Sequence, residues 1–138
     1  MPGLRLAAVK RLLHEAELPT ADLTEAHLQH FLARGDEDAP DAVVGLEVYQ
    51  PVALLRSLAV ALPSRGRGVG SALLAEAERY ARSREVKEIY LLTTTAERFF
   101  ARSGYERILR DAAPAAIRET QEFSSLCPAS SAFMRKRL

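Results

Sequence analysis

The sequence predicts a mixed α/β protein, α+β in its detailed layout, in which helices flank a central sheet and residues 1–138 form one domain. Apolar residues recur at helical spacing near the N-terminus, and two segments rich in valine and leucine meet around Gln50–Pro51. The run KEIYLLTTT (87–95) is apolar enough for a strand buried on both faces. A strand, a glycine-rich loop, a helix and this strand follow one another, which makes a β-loop-α-β unit the predicted centre of the fold.

The N-terminal third is predicted to contain two helices. Leu6, Val9, Leu12, Leu13 and Ala16 form an apolar stripe over residues 4–18, and a proline follows at position 19. A second, short helix is predicted over residues 25–32, ending near residue 35, because a threonine precedes it as a good N-cap. Residues 35–41 (GDEDAPD) read as a polar turn.

The remaining elements are predicted from similar patterns. The central part is expected to be a hairpin of strands 42–50 and 51–60, a loop 61–70, a helix to about residue 84 and a strand 87–95. A helix over 96–103 follows, capped at its C-terminus by Gly104, and then a strand over 105–109. The chain is expected to end with a helix over 113–123, begun by Pro114, and a last strand over 130–138. The buried stripe of the helix after the loop is expected at Val69, Leu73, Leu74, Ala77 and Tyr80.

Composition argues against several classes of protein. The chain has 19 Lys+Arg against 18 Asp+Glu, and a net charge of +1 does not suit a general nucleic-acid binder. The sequence holds no apolar run long enough to cross a membrane, and its N-terminus lacks the apolar core of a signal peptide. The single cysteine, Cys127, permits no internal disulfide. We therefore expect a cytoplasmic protein without nucleic-acid or membrane partners.

The loop SRGRGVGS (64–71) is the strongest chemical signal, since it follows a strand and opens a helix. The unpaired N–H groups and dipole of a helix N-terminus attract anions, and glycines allow close approach of the backbone. A Walker loop would need a lysine after Gly70, and a dinucleotide fingerprint would need G-x-G-x-x-G rather than the G-x-G-x-G found here. From the loop alone, an anion cradle and a plain turn remain equal alternatives.

The surrounding sequence resembles the GNAT superfamily of N-acetyltransferases. Arg65 to Gly70 matches their pattern Arg/Gln-x-x-Gly-x-Gly/Ala, and the preceding LLRSLAV (54–60) resembles their fourth strand. Further on, ERFFARSGYE (97–106) resembles the family segment in which an aromatic pair precedes Gly-Phe or Gly-Tyr. The resemblance covers roughly residues 40–110. It implies a GNAT fold, with splayed fourth and fifth strands; since the helical pattern begins by Leu4, the family's first strand is expected to be short or missing.

A finer resemblance concerns the acceptor. The segments VALLRSLAV (52–60), YLLTTTAERFFARSGYE (90–106) and LCPASSAFMRKRL (126–138) look like the arsenic-resistance N-acetyltransferases, a subgroup similar to the acetyltransferase domain of N-acetylglutamate synthase. This implies acetyl transfer to the amine of a small amino-acid-like molecule, such as an arsenic-containing or phosphinothricin-like glutamate analogue, as a detoxification reaction. A CoA-binding sensor without catalysis and a protein acetyltransferase remain the alternatives.

The resemblance also implies where acetyl-CoA binds, as the cosubstrate and without a metal. The pantetheine arm would pair with the backbone of the fourth strand, and the pyrophosphate would lie on the glycine loop. Thr95 stands where family members often hold a CoA-contacting asparagine, and Phe99 begins the aromatic pair. The cofactor-binding residues expected in this way are Leu58, Ala59, Val60, Arg65, Gly66, Arg67, Gly68, Val69, Gly70, Ser71, Thr95 and Phe99.

The catalytic positions depart from the family pattern. Phe100 stands where a tyrosine often serves as the general acid, and Leu54 stands where the synthases often place a glutamate. A thiolate with an ordinary pKa near 8.5 can leave without an acid. Glu47 is the remaining carboxylate candidate for a general base, acting directly or through a water, with an exposed strand residue as the equal alternative. A water chain that ends in bulk solvent is a third option.

Arg56 is the candidate for substrate binding. It alternates with Leu54, Leu58 and Val60, so it is predicted to share their apolar face, where a charge needs a partner or a ligand. We expect it to bind a substrate carboxylate; the alternative is an ion pair with Glu47 on the neighbouring strand.

Cys127 and the three histidines give weaker signals. Cys127 is favoured as a small buried residue over a nucleophile or arsenic ligand, because no second soft ligand lies near it in sequence. His27 and His30 are i, i+3 neighbours, more typical of exposed helix residues than of an acceptor pocket. The partner that we expect is a small-molecule amine, and the oligomeric state stays open, with a homodimer as one option.

Overall fold

The computed structural model describes residues 4–138, and it shows one mixed sheet between two layers of helices. The strands are β1 Phe31–Gly35, β2 Pro40–Val48, β3 Val52–Val60, β4 Glu88–Thr93, β5 Glu106–Arg107 and β6 Ala132–Arg137. The α-helices are α1 Leu6–Glu15, α2 Val69–Ser83, α3 Glu97–Arg102 and α4 Ala115–Arg118, joined by 3₁₀ turns at Glu25–His30, Leu62–Ser64 and Arg110–Ala112 and by a π-helical turn at Glu122–Leu126. The sheet order is β1-β2-β3-β4-β6-β5, and β3 and β4 are its parallel pair. The predicted mixed α/β fold with a central β-loop-α-β unit is confirmed.

The helices cover the sheet from both faces because each has one apolar stripe. The stripe of α2, which includes the fully buried Leu73 and Ala77, packs with α3 on one face of the sheet. The opposite face carries α1, whose Val9 and Leu13 are fully buried, and α4, which contributes Ile117. The core is therefore divided into a large cluster under α2 and α3 and two smaller clusters under α1 and α4.

The parallel strands β3 and β4 pair at one end and separate at the other. Their register runs from Val52 opposite Glu88 to Leu54 opposite Tyr90, and no further β3–β4 pair follows within residues 4–138. Beyond that point β3 continues to pair with β2, and β4 continues to pair with β6. The resemblance stated above implied a splay between the fourth and fifth strands of the fold. These correspond to β3 and β4, and the splay is present.

The prediction that Arg56 shares a face with Leu58 and Val60 is wrong, because β3 contains a bulge. Ser57 has φ +61°, and the β2–β3 register shifts between Val43 and Gly45. The extra residue inverts the alternation: Leu54 packs in the cluster under α4, whereas Leu58 and Val60 pack against the cluster under α2. Arg56 therefore does not share a face with Leu58 and Val60, because simple alternation holds only in an uninterrupted strand.

The predicted second helix is wrong in its C-terminal part. The 3₁₀ turn ends at His30, and Phe31 begins β1, which pairs antiparallel with β2. The side chain of Phe31 lies against Gly45, its partner in the register, where any Cβ would overlap the ring. The burial of Phe31 across β2 outweighs the weak helical spacing of this segment.

Other boundaries also differ from those predicted. β2 begins at Pro40, inside the segment that was predicted to be a turn; β4 ends at Thr93, and β5 is limited to Glu106–Arg107. The helix predicted over 113–123 is divided into α4 and the separate π-helical turn, although Pro114 does start it as the N-cap. A first strand before α1 was predicted to be short or missing. Leu4 and Arg5 form no regular secondary structure, and the positions before them lie outside the described residues.

None of the helices in residues 4–138 combines the length and the apolar character that a bilayer crossing requires.

Replacing Gly45 with alanine tests the contact between β1 and β2. We expect Gly45→Ala to lower the free energy of unfolding by roughly 1–3 kcal/mol, because the new methyl group overlaps the ring of Phe31. Phe31→Leu should cost less in the Gly45→Ala background than in the wild type, since it removes that overlap. Urea denaturation of the four proteins measures this coupling, and additive effects would show that Phe31 does not cover Gly45.

Candidate active site

A cavity of about 810 Å³ lies where β3 and β4 separate. Its long walls are residues 55–60 of β3 and residues 91–96 of β4 and the following loop. Residues 16–19 after α1 close one side, and Glu122, Cys127 and Ser131 from the C-terminal segment close another. The cavity therefore combines a stretch of strand without a β-ladder partner on one side and a set of polar side chains from distant parts of the chain.

The predicted cofactor residues fall into two groups. Those that line the cavity are Leu58, Ala59, Val60, Arg65, Gly70, Thr95 and Phe99. Those that belong to the loop and first turn of α2 without lining it are Gly66, Arg67, Gly68, Val69 and Ser71. The second group is adjacent in sequence to Arg65 and Gly70, which do line the cavity. The binding role of both groups stays a prediction.

The glycine loop has the backbone that an anion cradle needs. Gly66 and Gly68 have φ +78° and +76°, a left-handed conformation that side chains disfavour, and a Cβ at either position would meet no atom within 4 Å. Gly68 is the N-cap of α2, so the first N–H groups of that helix lack intrahelical partners. The Nε–H of Arg65 donates to the carbonyl oxygen of Val60 at 2.8 Å, which ties the loop to the end of β3.

Arg56 is the centre of a buried charge cluster on the face covered by α1 and α4. Its guanidinium, with no exposed side-chain surface, binds both oxygens of Asp22 at 2.5 and 2.8 Å and Oε2 of Glu47 at 2.8 Å. Its Nε–H donates to Ser57 Oγ at 3.1 Å, and its Nη2 lies 3.2 Å from Oε2 of Glu122. The ion pair with Glu47 that the sequence offered as an alternative is thus present. Direct binding of a substrate carboxylate by Arg56 stays a prediction.

The cluster moves the pKa values of its members in opposite directions. Burial alone would raise the pKa of Asp22, but its hydrogen bonds and charge interaction with Arg56 hold that pKa below the usual range. Burial raises the pKa of Glu122 to about 7, an increase that the Arg56 charge reduces and that Asp22 and Glu47 reinforce. The difference follows from geometry, because Asp22 has two short hydrogen bonds to Arg56 and Glu122 has one longer ion pair.

Glu47 is not the exposed strand residue of the alternative interpretation. Its side chain is 9% exposed, its Oε2 accepts from Arg56, and its Oε1 accepts from the hydroxyl of Tyr49 at 2.6 Å. Glu47 does not line the large cavity; it lines a smaller, open depression together with His27 and His30. Its role as a general base stays a prediction.

The aromatic pair supplies packing at the cavity. Phe99 lines the cavity, and the buried Phe100 makes edge contacts with Phe99 and Tyr105. The hydroxyl of Tyr105 donates to Glu78 at 3.0 Å, and burial together with the Glu78 charge raises the pKa of Tyr105. Tyr105 therefore keeps its proton in a structural hydrogen bond.

Cys127 lines the cavity as a protonated thiol. Its Sγ lies 3.9 Å from Oε1 of Glu122, and burial followed by the Glu122 charge raises the pKa of Cys127 to about 12. A thiol of this kind is a poor nucleophile. The interpretation of Cys127 as a small buried residue holds in part, since its side chain is half-buried.

Asp22, His27 and Glu47 come together although nothing in their sequence spacing predicts it. Their potential ligand atoms lie within 4.8 Å of one another. Both carboxylates already bind the cation Arg56, and Nδ1 of His27 accepts a hydrogen bond from the backbone N–H of Thr24 at 3.1 Å. The arrangement is that of an arginine-centred ion cluster.

Sequence reasoning missed Asp22, Glu122 and Ser131. Asp22 lies in a predicted connection, Glu122 lies in a predicted helix, and Ser131 precedes β6. The buried Ser131 hydroxyl has no hydrogen-bond partner within residues 4–138, although it belongs to the cavity wall. The signal that pointed to the two carboxylates was the buried charge expected at Arg56, which requires carboxylate partners without indicating which ones; no signal pointed to Ser131.

Comparison with known families finds one match. A sequence model described as the acetyltransferase (GNAT) family matches residues 7–109, about three quarters of the chain. No curated protein sequence matches this one significantly.

Solved structures of similar fold include several bound to CoA. The N-acetylglutamate synthase from Neisseria gonorrhoeae, complexed with coenzyme A and N-acetyl-glutamate, superposes with TM-score 0.79 and 22% identity over 96% of this chain. This chain spans only 32% of that synthase. Rv2747 from Mycobacterium tuberculosis, in complex with CoA and NLQ, gives TM-score 0.75 and 20% identity, covering 99% of this chain and 98% of that one. The PaiA N-acetyltransferase from Thermoplasma acidophilum, in complex with coenzyme A, superposes with TM-score 0.65 and 13% identity, covering 99% of this chain and 97% of that one. At these identities the likeness shows the fold.

The raised pKa of Glu122 predicts a pH dependence of stability. A carboxyl group whose pKa is higher in the folded state holds its proton more tightly there, so stability falls as pH rises from about 4.5 to 7. The decrease is on the order of 3 kcal/mol. Glu122→Gln should lack this contribution, and the exposed Glu119→Gln should retain it. Urea denaturation at pH 5 and pH 8 gives the comparison; equal pH slopes for Glu122→Gln and the wild type would contradict the raised pKa.

Proposed function

The chain belongs to the acetyltransferase (GNAT) family, and we propose that it transfers the acetyl group of acetyl-CoA to the amine of a small, amino-acid-like molecule. The observation that carries the proposal is the cavity between β3 and β4, which ends beside the glycine loop and the N-terminus of α2. One site thus offers an extended backbone for the pantetheine arm and a cationic loop for the pyrophosphate.

Acetyl-CoA fits this site by its shape and charge. Residues 55–60 of β3 have no β4 pairing, so backbone groups in this stretch are available to the amides of pantetheine. Gly66 and Gly68 leave the loop backbone open to phosphate oxygens, and Arg65 and Arg67 add positive charge. Structural relatives in complex with CoA support the same donor.

The acceptor proposal rests on the size of the cavity and on the polar side chains in its wall. A space of about 810 Å³, which includes Glu122 and Ser131 in its lining, must hold the acceptor together with part of acetyl-CoA, and this suits a small molecule better than a peptide. The similar synthase is described with N-acetyl-glutamate, which supports an amino-acid acceptor. The resemblance to the arsenic-resistance enzymes supports the narrower proposal of a detoxifying, cytoplasmic enzyme that acetylates an arsenic- or phosphorus-containing glutamate analogue.

In direct transfer the neutral amine attacks the thioester carbonyl, and the C–S bond then breaks to release CoA. No covalent enzyme intermediate is required, which agrees with the protonated state of Cys127. The proposed cofactor ligands remain those predicted from the loop and β3, together with Thr95 and Phe99.

Thioester consumption with a panel of acceptors tests the function. We expect release of free CoA thiol with glutamate-like amines, including phosphinothricin and its arsenic analogue, and little release with lysine-containing peptides, because the cavity of about 810 Å³ must hold the acceptor together with part of acetyl-CoA. Binding of acetyl-CoA without turnover on any amine would favour the CoA sensor, and preferential turnover on peptides would favour a protein acetyltransferase.

Gly70→Val tests the cofactor site. A Cβ at Gly70 would make ordinary contacts of 3.6 and 3.7 Å with Val60 and Phe99, so there is room for the Cβ itself, and we expect the two further methyl groups of valine to take up cavity space. We expect the affinity for CoA, measured by calorimetry, to fall at least tenfold, the equivalent of about 1.4 kcal/mol. Ala75→Val, five residues further along α2 and outside the cavity lining, is the matched control. Unchanged affinity of Gly70→Val would place CoA elsewhere.

A further inference from the structure

We propose that Glu122 binds the ammonium group of the acceptor and is the general base that removes its proton. The proposal rests on the proposed acetyltransferase function and assigns the base for it. Four features of the cavity support it: the position of this carboxylate, its surplus negative charge, its proton affinity and an unpaired hydroxyl in the same wall.

The position of Glu122 comes first. Its side chain is 5% exposed and lines the cavity that also contains Leu58, Thr95 and Phe99. Glu47, the candidate from the sequence, does not line this cavity, and its oxygens accept hydrogen bonds from Arg56 and Tyr49. Among the three carboxylates that contact Arg56, Glu122 is the one in the cavity wall.

The charge of the cluster favours a cation beside Glu122. Asp22, Glu47 and Glu122 contact a single guanidinium, so the fully ionised group carries two more negative than positive charges. Asp22 occupies both terminal nitrogens of Arg56, whereas Glu122 reaches one of them at 3.2 Å without a well-aligned hydrogen bond. An ammonium ion in the cavity would supply the missing positive charge and the missing donors.

The proton affinity of Glu122 suits a base at neutral pH. The groups that face it are Arg56 on β3, Asp22 after α1, Glu47 on β2 and Cys127 beside it. Burial among them raises its pKa from 4.5 to about 7. Relative to an ordinary glutamate, this increases the equilibrium transfer of a proton from an amine roughly 300-fold.

Ser131 gives an independent indication of a polar ligand. Its hydroxyl is buried in the same wall and, within residues 4–138, has no hydrogen-bond partner. A buried polar atom without a partner is costly, and a bound polar molecule would satisfy it. The cavity wall thus contains a carboxylate and, within residues 4–138, a buried hydroxyl without a hydrogen-bond partner.

Every proton in the proposed reaction is accounted for with Glu122 as its one acid–base residue. Glu122 takes one proton from the R–NH₃⁺ group, and the nitrogen lone pair then forms a bond to the thioester carbonyl carbon. The C–S bond breaks with its electron pair on sulfur, and the second nitrogen proton passes to that thiolate. Glu122 afterwards releases its proton to solvent, so the products are the N-acetyl amine, CoA thiol and one proton.

The test compares the pH dependence of kcat/KM for four proteins with the amine that turns over best. In the wild type, kcat/KM should rise with pH through a pKa near 7. Glu122→Gln should lower kcat by about 100-fold or more and abolish this rise of kcat/KM with pH, the limb of the profile, while CoA affinity stays within twofold. Glu47→Gln should keep the limb but shift it to lower pH, because the Glu47 charge helps to raise the pKa of Glu122. The exposed Glu119→Gln should match the wild type.

The outcomes separate the base from the overall function. Turnover by the wild type with an intact limb in Glu122→Gln overturns only the assignment of Glu122, and loss of the limb in Glu47→Gln transfers the role to Glu47. Absence of turnover on every amine, with CoA still bound, overturns the proposed function and the base together. If Glu122→Gln fails to fold, Glu122→Asp replaces it; retained but weaker activity with a shifted limb supports the base, and an unshifted limb overturns it.

Discussion

The parting of β3 and β4 after Leu54 and Tyr90 is the constraint on which the site depends. A backbone N–H or C=O that loses its ladder partner inside a protein needs a replacement. β3 remains bonded to β2, and β4 remains bonded to β6, so the gap is framed by two intact ladders. The bulge at Ser57 turns the chain within this frame, and an acyl-CoA arm is the kind of molecule that can complete the pairing.

Arg56 holds the open end of the sheet in place from the face covered by α1 and α4. Its carboxylate partners come from the connection after α1, from β2 and from the π-helical turn, which are segments far apart in sequence. Removing one partner from a buried charge group is costly, so the cluster fixes these segments relative to each other. The same cluster leaves one carboxylate underneutralised, and that carboxylate lies in the cavity.

Local signals in the sequence predicted the fold class but neither β1 nor the charge cluster. The stripe of α2 and the apolar β4 segment depend on neighbouring residues, and both elements were predicted as the correct type, although β4 ends at Thr93 instead of residue 95. Phe31 was assigned to a helix because its strand is defined by contact with Gly45, fourteen positions away. The alternation around Arg56 failed because the bulge at Ser57 cannot be read from side-chain pattern. Glu122 was missed because its pKa depends on Arg56, Asp22 and Glu47, which only the folded chain brings together.

The substitutions at the family's usual catalytic positions are consistent with a base supplied from the C-terminal segment. Leu54 is fully buried in the apolar cluster with Tyr90 and Ile117, so a carboxylate there would lose that packing. Phe100 makes the position of the usual acid apolar as well. In the proposed mechanism, proton removal comes from another wall, and the π-helical turn brings the carboxylate of Glu122 to the cavity from the α4 side. Because the departing thiolate can take its proton from the attacking nitrogen, a single base is enough, and the loss of the tyrosine hydroxyl need not be compensated.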